Sequence, residues 1–511
     1  MAELQLLLDL PGDALAAFKQ AELLTGSAQR RPTTRKLRQV FWDAADHRLG
    51  RAGLAIAMQT AGQRRTQLLR NIKEAPTGGR ILRQQDSPLV GDALDLTRLA
   101  LLPGSDPGLV TRLAAEMLVP VFAIDLTRTI WPVVWNETSL NVALDLGVID
   151  SAAGRVEFCQ VALAPTAGPP QGLYDFVQRL QRVVPVRLAT HDPVQQGYRL
   201  VAGADWWPVN RAGIAALEPG MTVRQGILAI GRAASAAVRA EIHALEASAD
   251  PERIHEARVA IRRLRSALSV FRDVLPVFSR QALARDLGAL AGKLGHAREL
   301  DVFLAETLEP LTRASGEESC LRGLRLTASV LRANAAETAR QAVTAPDFMA
   351  ISCRLAAWFD AGIWPEQAGT EAATLLEQPF ATYARALLRK HHRKLLAEGG
   401  ALQDPKPAEL HALRIQAKRL RYTAEFVRSL FATRPAKRYV AALKSIQDIL
   451  GTLNDAVVAR ALLPQLTKGD PIGGARAAGL VSGWTAAEVT SARQRFAETW
   501  EHFTDTKRFW K

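Results

Sequence analysis

His255-Glu256-Ala257-Arg258-Val259-Ala260-Ile261-Arg262-Arg263-Leu264-Arg265 recurs downstream as His411-Ala412-Leu413-Arg414-Ile415-Gln416-Ala417-Lys418-Arg419-Leu420-Arg421. The shared pattern is H-x-x-R-x-x-x-[RK]-R-L-R, and 156 residues separate position 255 from 411. A second pair keeps the same spacing: Gly295, in Lys293-Leu294-Gly295, against Gly451, in Ile449-Leu450-Gly451. Two unrelated motifs at one offset point to a tandem duplication.

On a helix of 100° per residue, His255, Arg258, Arg262 and Arg265 fall within about 80° of one another, a ladder some 15 Å long. Ala257, Leu264, Leu268 and Phe271 occupy the other side as an apolar stripe suited to a core. The second copy sets His411, Arg414, Lys418 and Arg421 against Leu413, Leu420, Ala424 and Val427. Like charges at this spacing repel one another in an isolated helix, so the pattern asks for a partner. Glu299, Asp301 and Asp455 are available acids. A bound polyanion is the other answer, and the run Arg389-Lys390-His391-His392-Arg393-Lys394 adds positive charge without an acid. Arginine forks match phosphate oxygens and lysine supplies point charge. Aromatic residues near the ladders are few: Phe271 on the core side, Tyr422 with the ladder, Phe426 at its flank. This favours a base-free polyanion over single-stranded nucleic acid, whose grooves interleave stacking rings.

The ladders sit in a region, from about Met221, of Ala/Leu/Arg/Glu-rich segments with apolar residues at helical spacing. Breaks at Asp250-Pro251, Leu275-Pro276, Pro346, Pro365, Gly399-Gly400 and Asp404 to Pro407 divide it into a helical bundle. The first 200 residues differ. Short apolar runs (Leu4 to Leu10, Val40 to Trp42, Val119 to Ile124, Leu140 to Leu146, Val156 to Leu163) read as strands. Helical patterns at Asp13 to Leu24 and Pro107 to Leu118 interrupt them. The expectation is multidomain: an α+β antiparallel, barrel-like domain over 1–200, a linker over 201–220 containing Trp206-Trp207-Pro208, and an all-α tandem bundle with pseudo-twofold symmetry over 221–505. Its repeats span about 221–345 and 375–505.

The 511 residues carry a formal net charge of +14 and a pI near 10.1, which agrees with a polyanionic partner. No apolar run reaches the roughly 18 residues that span a bilayer. The N-terminus shows no secretory pattern. Cys159, Cys320 and Cys353 lack metal-ligand spacing and fit a reducing, cytoplasmic setting.

The paired motifs resemble the CHAD family of histidine-containing α-helical domains over roughly 221 to 505. One departure is Arg298-Glu299, where the family more often shows Arg-Asp. The resemblance implies a polyphosphate-binding module of two pseudo-symmetric bundles, often found on polyphosphate granules. It implies binding roles for His255, Arg258, Arg262, Arg263, Arg265, His411, Arg414, Lys418, Arg419 and Arg421. The basic run adds Arg389, Lys390, Arg393 and Lys394. Other granule proteins are candidate partners, nucleic acid is the alternative polyanion, and no membrane is expected.

The first 200 residues resemble a CYTH domain of the triphosphate tunnel metalloenzymes. The likeness rests on Glu3, Phe41-Trp42-Asp43, Leu140 to Gly147, and Thr190 to Leu200. That family holds a divalent metal on paired carboxylates inside a barrel lined with Lys and Arg. Its opening E-x-E-x-K reads here Glu3-Leu4-Gln5-Leu6-Leu7. The R-x-R strand reads Ile56-Ala57-Met58-Gln59, and R-x-E-x-E reads Arg83-Gln84-Gln85-Asp86-Ser87. The late E-x-E reads Glu157-Phe158-Cys159. Glu3 and Glu157 are the residual metal candidates and Lys73 the residual tunnel lysine. The expected function is therefore binding without catalysis and without a cofactor. A residual Mg²⁺- or Mn²⁺-dependent triphosphatase is the alternative.

Overall fold

The computed structural model describes residues 2–72, 80–89, 94–96, 118–203, 213–316, 318–360, 362, 370–400 and 407–510. Lys73, Trp206-Trp207-Pro208, Pro365, and residues 107–117 of the second N-terminal helical pattern lie outside them. The chain divides into two compact units, Met1–Val209 with Pro346–Ile363, and Asn210–Ala345 with Trp364–Lys511.

The first unit is an antiparallel sheet closed on itself. Its strands are β1 (Ala2–Asp9), β2 (Thr33–Asp43), β3 (Leu54–Ala61), β4 (Arg64–Asn71), β5 (Arg80–Pro88), β6 (Val119–Trp135), β7 (Thr138–Ser151), β8 (Gly154–Ala167) and β9 (Arg187–Leu188). They follow the order β5-β4-β3-β2-β6-β7-β8-β1-β9. Closure comes from β1, whose first half pairs with β5 (Glu3 opposite Leu82) and second half with β8 (Leu6 opposite Leu163). The expected barrel-like α+β domain is present. The strands run well beyond the apolar runs that announced them, because polar residues there fall on both walls: Arg35, Gln39 and Arg128 inward, Lys36, Arg38 and Asp125 outward, as a period of two dictates.

Short helices α1 (Leu15–Gln20), α2 (Glu22–Thr25), α3 (Arg48–Ala52) and α4 (Gln171–Leu180) flank the sheet, whereas α5 (Pro193–Ala202) sets Val194 and Tyr198 against the inward residues Phe41, Phe122 and Ile124. One core joins Leu6, Leu8, Phe18, Trp131, Val142, Val161, Tyr174 and Phe176. Cys353, Ala356 and Ala357, from the segment starting at Pro346, join the same core. A second seats Phe41, Phe122, Phe158 and Tyr198. Asp43, at the end of β2, accepts hydrogen bonds from the backbone of Ala44, Leu49 and Gly50 (2.7–2.9 Å) and from Tyr198 Oη at 3.1 Å. This resembling-motif aspartate is thus a buried structural anchor. A Cβ on Gly50 would stand 2.5 Å from the Tyr198 ring, which is why glycine is required there.

The second unit is helical: α6 (Val223–Ala247), α7 (Pro251–Val270), α8 (Val277–Lys293), α9 (Gly295–Val302), α10 (Glu309–Ser315) and α11 (Ser319–Thr344) form its first part. The helix α12 (Pro346–Leu355) belongs to the barrel unit. Then follow α13 (Thr370–Leu376), α14 (Phe380–Gly400), α15 (Pro407–Val427), α16 (Thr433–Leu466) and α17 (Pro471–Asp505). The duplication is structural as well as sequential. Helices α7 and α15 begin at Pro251 and Pro407, and α8 and α16 at Val277 and Thr433, each pair 156 residues apart. A π-helical turn at Phe303–Leu308 carries α9 into α10, whereas α16 covers the corresponding stretch as one helix. No helix among the described residues is long and apolar enough to cross a membrane.

Candidate functional site

Both ladders lie on helices whose starts are locally encoded. Asp250 caps α7 by accepting from Arg253 N at 2.9 Å, and Pro251 fills the first turn, where no amide partner is needed. The same proline opens α15. The stripes Ala257, Leu264, Leu268, Phe271 and Leu413, Leu420, Ala424, Val427 are all at most 1% exposed. Burying them turns the ladders away from the core, and α7 and α15 pack against each other.

At that contact the basic residues cross between repeats. Arg262 Nε donates to Tyr422 Oη at 2.7 Å, and Arg263 Nη2 donates to Glu425 Oε2 at 2.9 Å. Arg419 Nη2 donates to Ser269 Oγ at 3.1 Å. Arg263 and Arg419 are counterparts in the two motifs, and Glu425 and Ser269 are 156 apart, so these contacts are reciprocal, as a twofold requires. Arg421 donates to Glu425 Oε1 at 2.6 Å and Gln447 Oε1 at 2.7 Å, and lies over the Tyr422 ring. Tyr422, 1% exposed, is therefore occupied on its edge and its face, and Phe271 and Phe426 are buried too.

Beside these ties lies a cavity of about 440 Å³ lined by Arg262, Arg265, Arg280, Lys418 and Arg419, with Ser266, Ser269 and Tyr422 as polar neighbours. Its lining contains no carboxylate. Arg280, from α8, belongs to neither motif, and its Nε is buried without a hydrogen-bond partner among the described residues. Burial, then the charges of Arg414 and Arg262, lower the Lys418 ammonium to a pKa of about 7. Asp455 opposes this and Arg421 adds to it. A cationic site that destabilises its own charge is one that gains from an anion.

The outer rungs are separate. Arg258 donates to Ala291 O at 2.8 Å, and burial lowers its pKa against the opposing charge of Glu299. A Cβ on Gly295 would stand 3.1 Å from Arg258 Nη1, so the glycine of the second repeated motif makes room for the first. His255 is half-buried; burial and then Arg298 lower its pKa, which leaves the ring neutral at pH 7. His411 and Arg414 line another cavity of about 400 Å³ with Asn454, Arg460 and Arg493. Burial lowers the Arg414 pKa, and its Nε has no partner among the described residues. Of the acids considered for the ladders, Asp301 is taken by Arg332 at 2.9 Å.

The basic run on α14 divides by helix face. His391 and His392 point inward, bonded to Thr423 Oγ1 at 2.9 Å and Tyr439 Oη at 2.8 Å, and burial brings both down to a pKa of about 4. Arg389, Lys390, Arg393 and Lys394 are exposed. Lys390 pairs with Asp273 at 2.8 Å and Lys394 with Glu398 at 3.7 Å. None of the six lines either helical cavity.

The barrel lumen, about 350 Å³, draws lining residues from all of β1 to β8, including Gln5, Arg35, Gln39, Gln59, Arg70, Asp86, Arg128 and Asp145. Each of these arginines is the single one its strand contributes to the lining, so no paired-arginine motif marks them in the sequence. Arg128 makes a two-point pair with Asp145 (2.7 Å each) and Arg70 reaches Asp192 at 3.1 Å. Asp192 also accepts from Gln195 N at 2.8 Å as the cap of α5. These carboxylates are committed to guanidinium and amide donors, a poor fit to a divalent cation, which needs free oxygen ligands. Glu157 is exposed on the outer wall, in a depression with Lys36, Arg38 and Asp125. For Glu3 the described feature is its backbone pairing with Leu82. No metal-assisted step follows from this set.

Comparison with known proteins finds matches over parts of the chain. A curated relative, the inorganic triphosphatase of Haemophilus influenzae, is 24% identical over 164 residues, which is 32% of this chain and 46% of that protein. The chain thus spans less than half the length of that relative. A candidate adenylate cyclase of Bacillus halodurans is 14% identical at a TM-score of 0.26, over 38% of this chain and 96% of that one. The CHAD domain from the plant Ricinus communis is 29% identical at a TM-score of 0.50, over 57% of this chain and 95% of that one. The CHAD domain profile itself matches residues 229–464, the stretch that contains both ladders. The helical unit thus carries the match to the CHAD domain over residues 229–464, and the N-terminal unit is the closed antiparallel sheet described above.

Proposed function

We propose that this protein binds inorganic polyphosphate non-catalytically, with the helical unit as the binding module and the barrel as a companion without triphosphatase activity. One observation carries the reading. Five cationic side chains from α7, α8 and α15 surround a single cavity whose lining has no acid. Fixed cations at such density suit a ligand with a charge on every unit. The occupied edge and face of Tyr422 favour a polymer without bases, since base stacking needs an open ring. The outer rungs Arg258 and Arg414 extend positive charge to either side, which suits a chain rather than a single phosphate. The name of the Haemophilus influenzae relative points to the same phosphoanhydride chemistry. The lumen's paired carboxylates support the absence of hydrolysis. A cytoplasmic, granule-associated location with other granule proteins follows from this reading.

Equilibrium binding of the full chain to long-chain polyphosphate across a salt series tests it. If five cations each displace a counterion, the logarithm of affinity falls by roughly three to four per tenfold rise in salt. Absence of binding, or binding indifferent to salt, overturns the assignment.

A further inference from the structure

We infer that the duplicated site is functionally single: the phosphate chain seats on the Ser269 side of the α7/α15 contact, and the counterpart half is latched shut by Glu425 and Gln447. This rests on the polyphosphate reading and narrows it to named residues.

The argument is a comparison of counterparts 156 residues apart. In the second repeat, Arg421 is held by Glu425 (2.6 Å) and Gln447 (2.7 Å), and Glu425 also holds Arg263 of the first repeat (2.9 Å). One carboxylate, itself 12% exposed at the side chain, thus engages two guanidiniums. The counterparts of Glu425 and Gln447 in the first repeat are Ser269 and Ala291. Neither can do the same work. Arg265, counterpart of Arg421, is exposed, and Arg419, counterpart of Arg263, has a serine hydroxyl where Arg263 has a carboxylate. The first repeat also gains a cation: Arg280 stands where the second has Ala436, which is buried. One acid fewer and one base more leave the Ser269 side two charges more positive than its counterpart. That side is where the cavity of about 440 Å³ lies, and Ser269, Arg265 and Arg280 line it. A guanidinium already satisfied by a carboxylate has little to offer a phosphate, whereas one without an acid gains from it, most of all where it is partly buried as Arg280 is.

The test uses the full chain and tripolyphosphate, too short to span both halves, titrated calorimetrically. The wild type takes up one equivalent. Ser269→Glu supplies the missing carboxylate beside Arg419 and lowers affinity at least tenfold with the unfolding temperature unchanged or raised. Arg280→Ala, which makes the first repeat like the second, lowers it about as much. Glu425→Gln changes it less than threefold. Two equal equivalents in the wild type, or wild-type affinity in both Ser269→Glu and Arg280→Ala, would overturn the asymmetry while leaving polyphosphate binding in place. A wild type that binds neither tripolyphosphate nor long-chain polyphosphate removes both readings.

Discussion

Reversing the charge at Arg262 and Lys418 together is expected to abolish polyphosphate binding, lowering affinity by about 10³-fold or more. These two residues are counterparts in the repeated motif, and both line the acid-free cavity. Arg262 is pre-positioned, because its Nε is already fixed to Tyr422 Oη, while among the described residues no acid pairs with its two terminal nitrogens. A hydrogen bond to a charged group contributes roughly 1.5–3 kcal/mol, so two lost bonds give a factor of roughly 10² to 10⁴ before repulsion is added. The control is the same change in net charge elsewhere. Arg313 and Arg340 are exposed residues paired with Glu309 and Glu337, remote in role from the ladders. Reversing both should weaken binding only a few-fold. Equal losses in the two double variants, measured with thermal unfolding to check the fold, would mean that the overall field and not this cavity binds the polymer.

The second large effect is on pH. Lys418 has a pKa of about 7 in the free protein, lowered first by burial and then by Arg414 and Arg262, with Arg421 adding and Asp455 opposing. A bound polyanion favours the ammonium and raises that pKa, so binding above pH 7 takes up a proton. Affinity should then fall as pH rises from about 7 towards 9, by up to roughly tenfold per unit for one group. Stability of the free protein runs the opposite way. Between about 7 and the ordinary lysine value of 10.5 the unfolded chain holds a proton that the folded chain lacks, so stability rises with pH across that window. His255 also has a lowered pKa, so its charging belongs below neutrality and adds nothing to the slope above it. Lys418→Arg keeps the charge and should flatten the profile from 7 to 9. A profile as steep in that variant as in the wild type would place the titrating group elsewhere.

Much of the helical half was legible because two signals agreed. The motif spacing gave the duplication, and the apolar stripe opposite each ladder gave the buried face: Leu264, Leu268, Leu413 and Leu420 are all in the core. Contacts between helices were not legible. Arg280 comes from a different helix and has no motif, so nothing local marks it. Tyr422 does lie with the ladder, as its spacing suggests, but Arg262 and Arg421 occupy it. The run 389–394 looked like one cationic patch because charge was read along the chain. Helical geometry instead sends His391 and His392 into the core. In the barrel, the five apolar runs all proved to be strands, but facing was harder. On β5 the lumen residue is Asp86, one position from the Gln85 and Ser87 slots of the resembling motif. A slip of one residue exchanges the two faces of a strand, which hides this lumen carboxylate from the motif's spacing.

The most direct measurement is competition between long-chain polyphosphate and duplex DNA for the 511-residue chain, at fixed ionic strength and equal phosphate concentration. An acid-free cavity lined by arginine and lysine, with no open ring for a base, predicts that polyphosphate displaces DNA completely while DNA leaves bound polyphosphate in place. Displacement of polyphosphate by an equal concentration of DNA phosphate would contradict the account, and would make this protein a binder of nucleic-acid backbones instead.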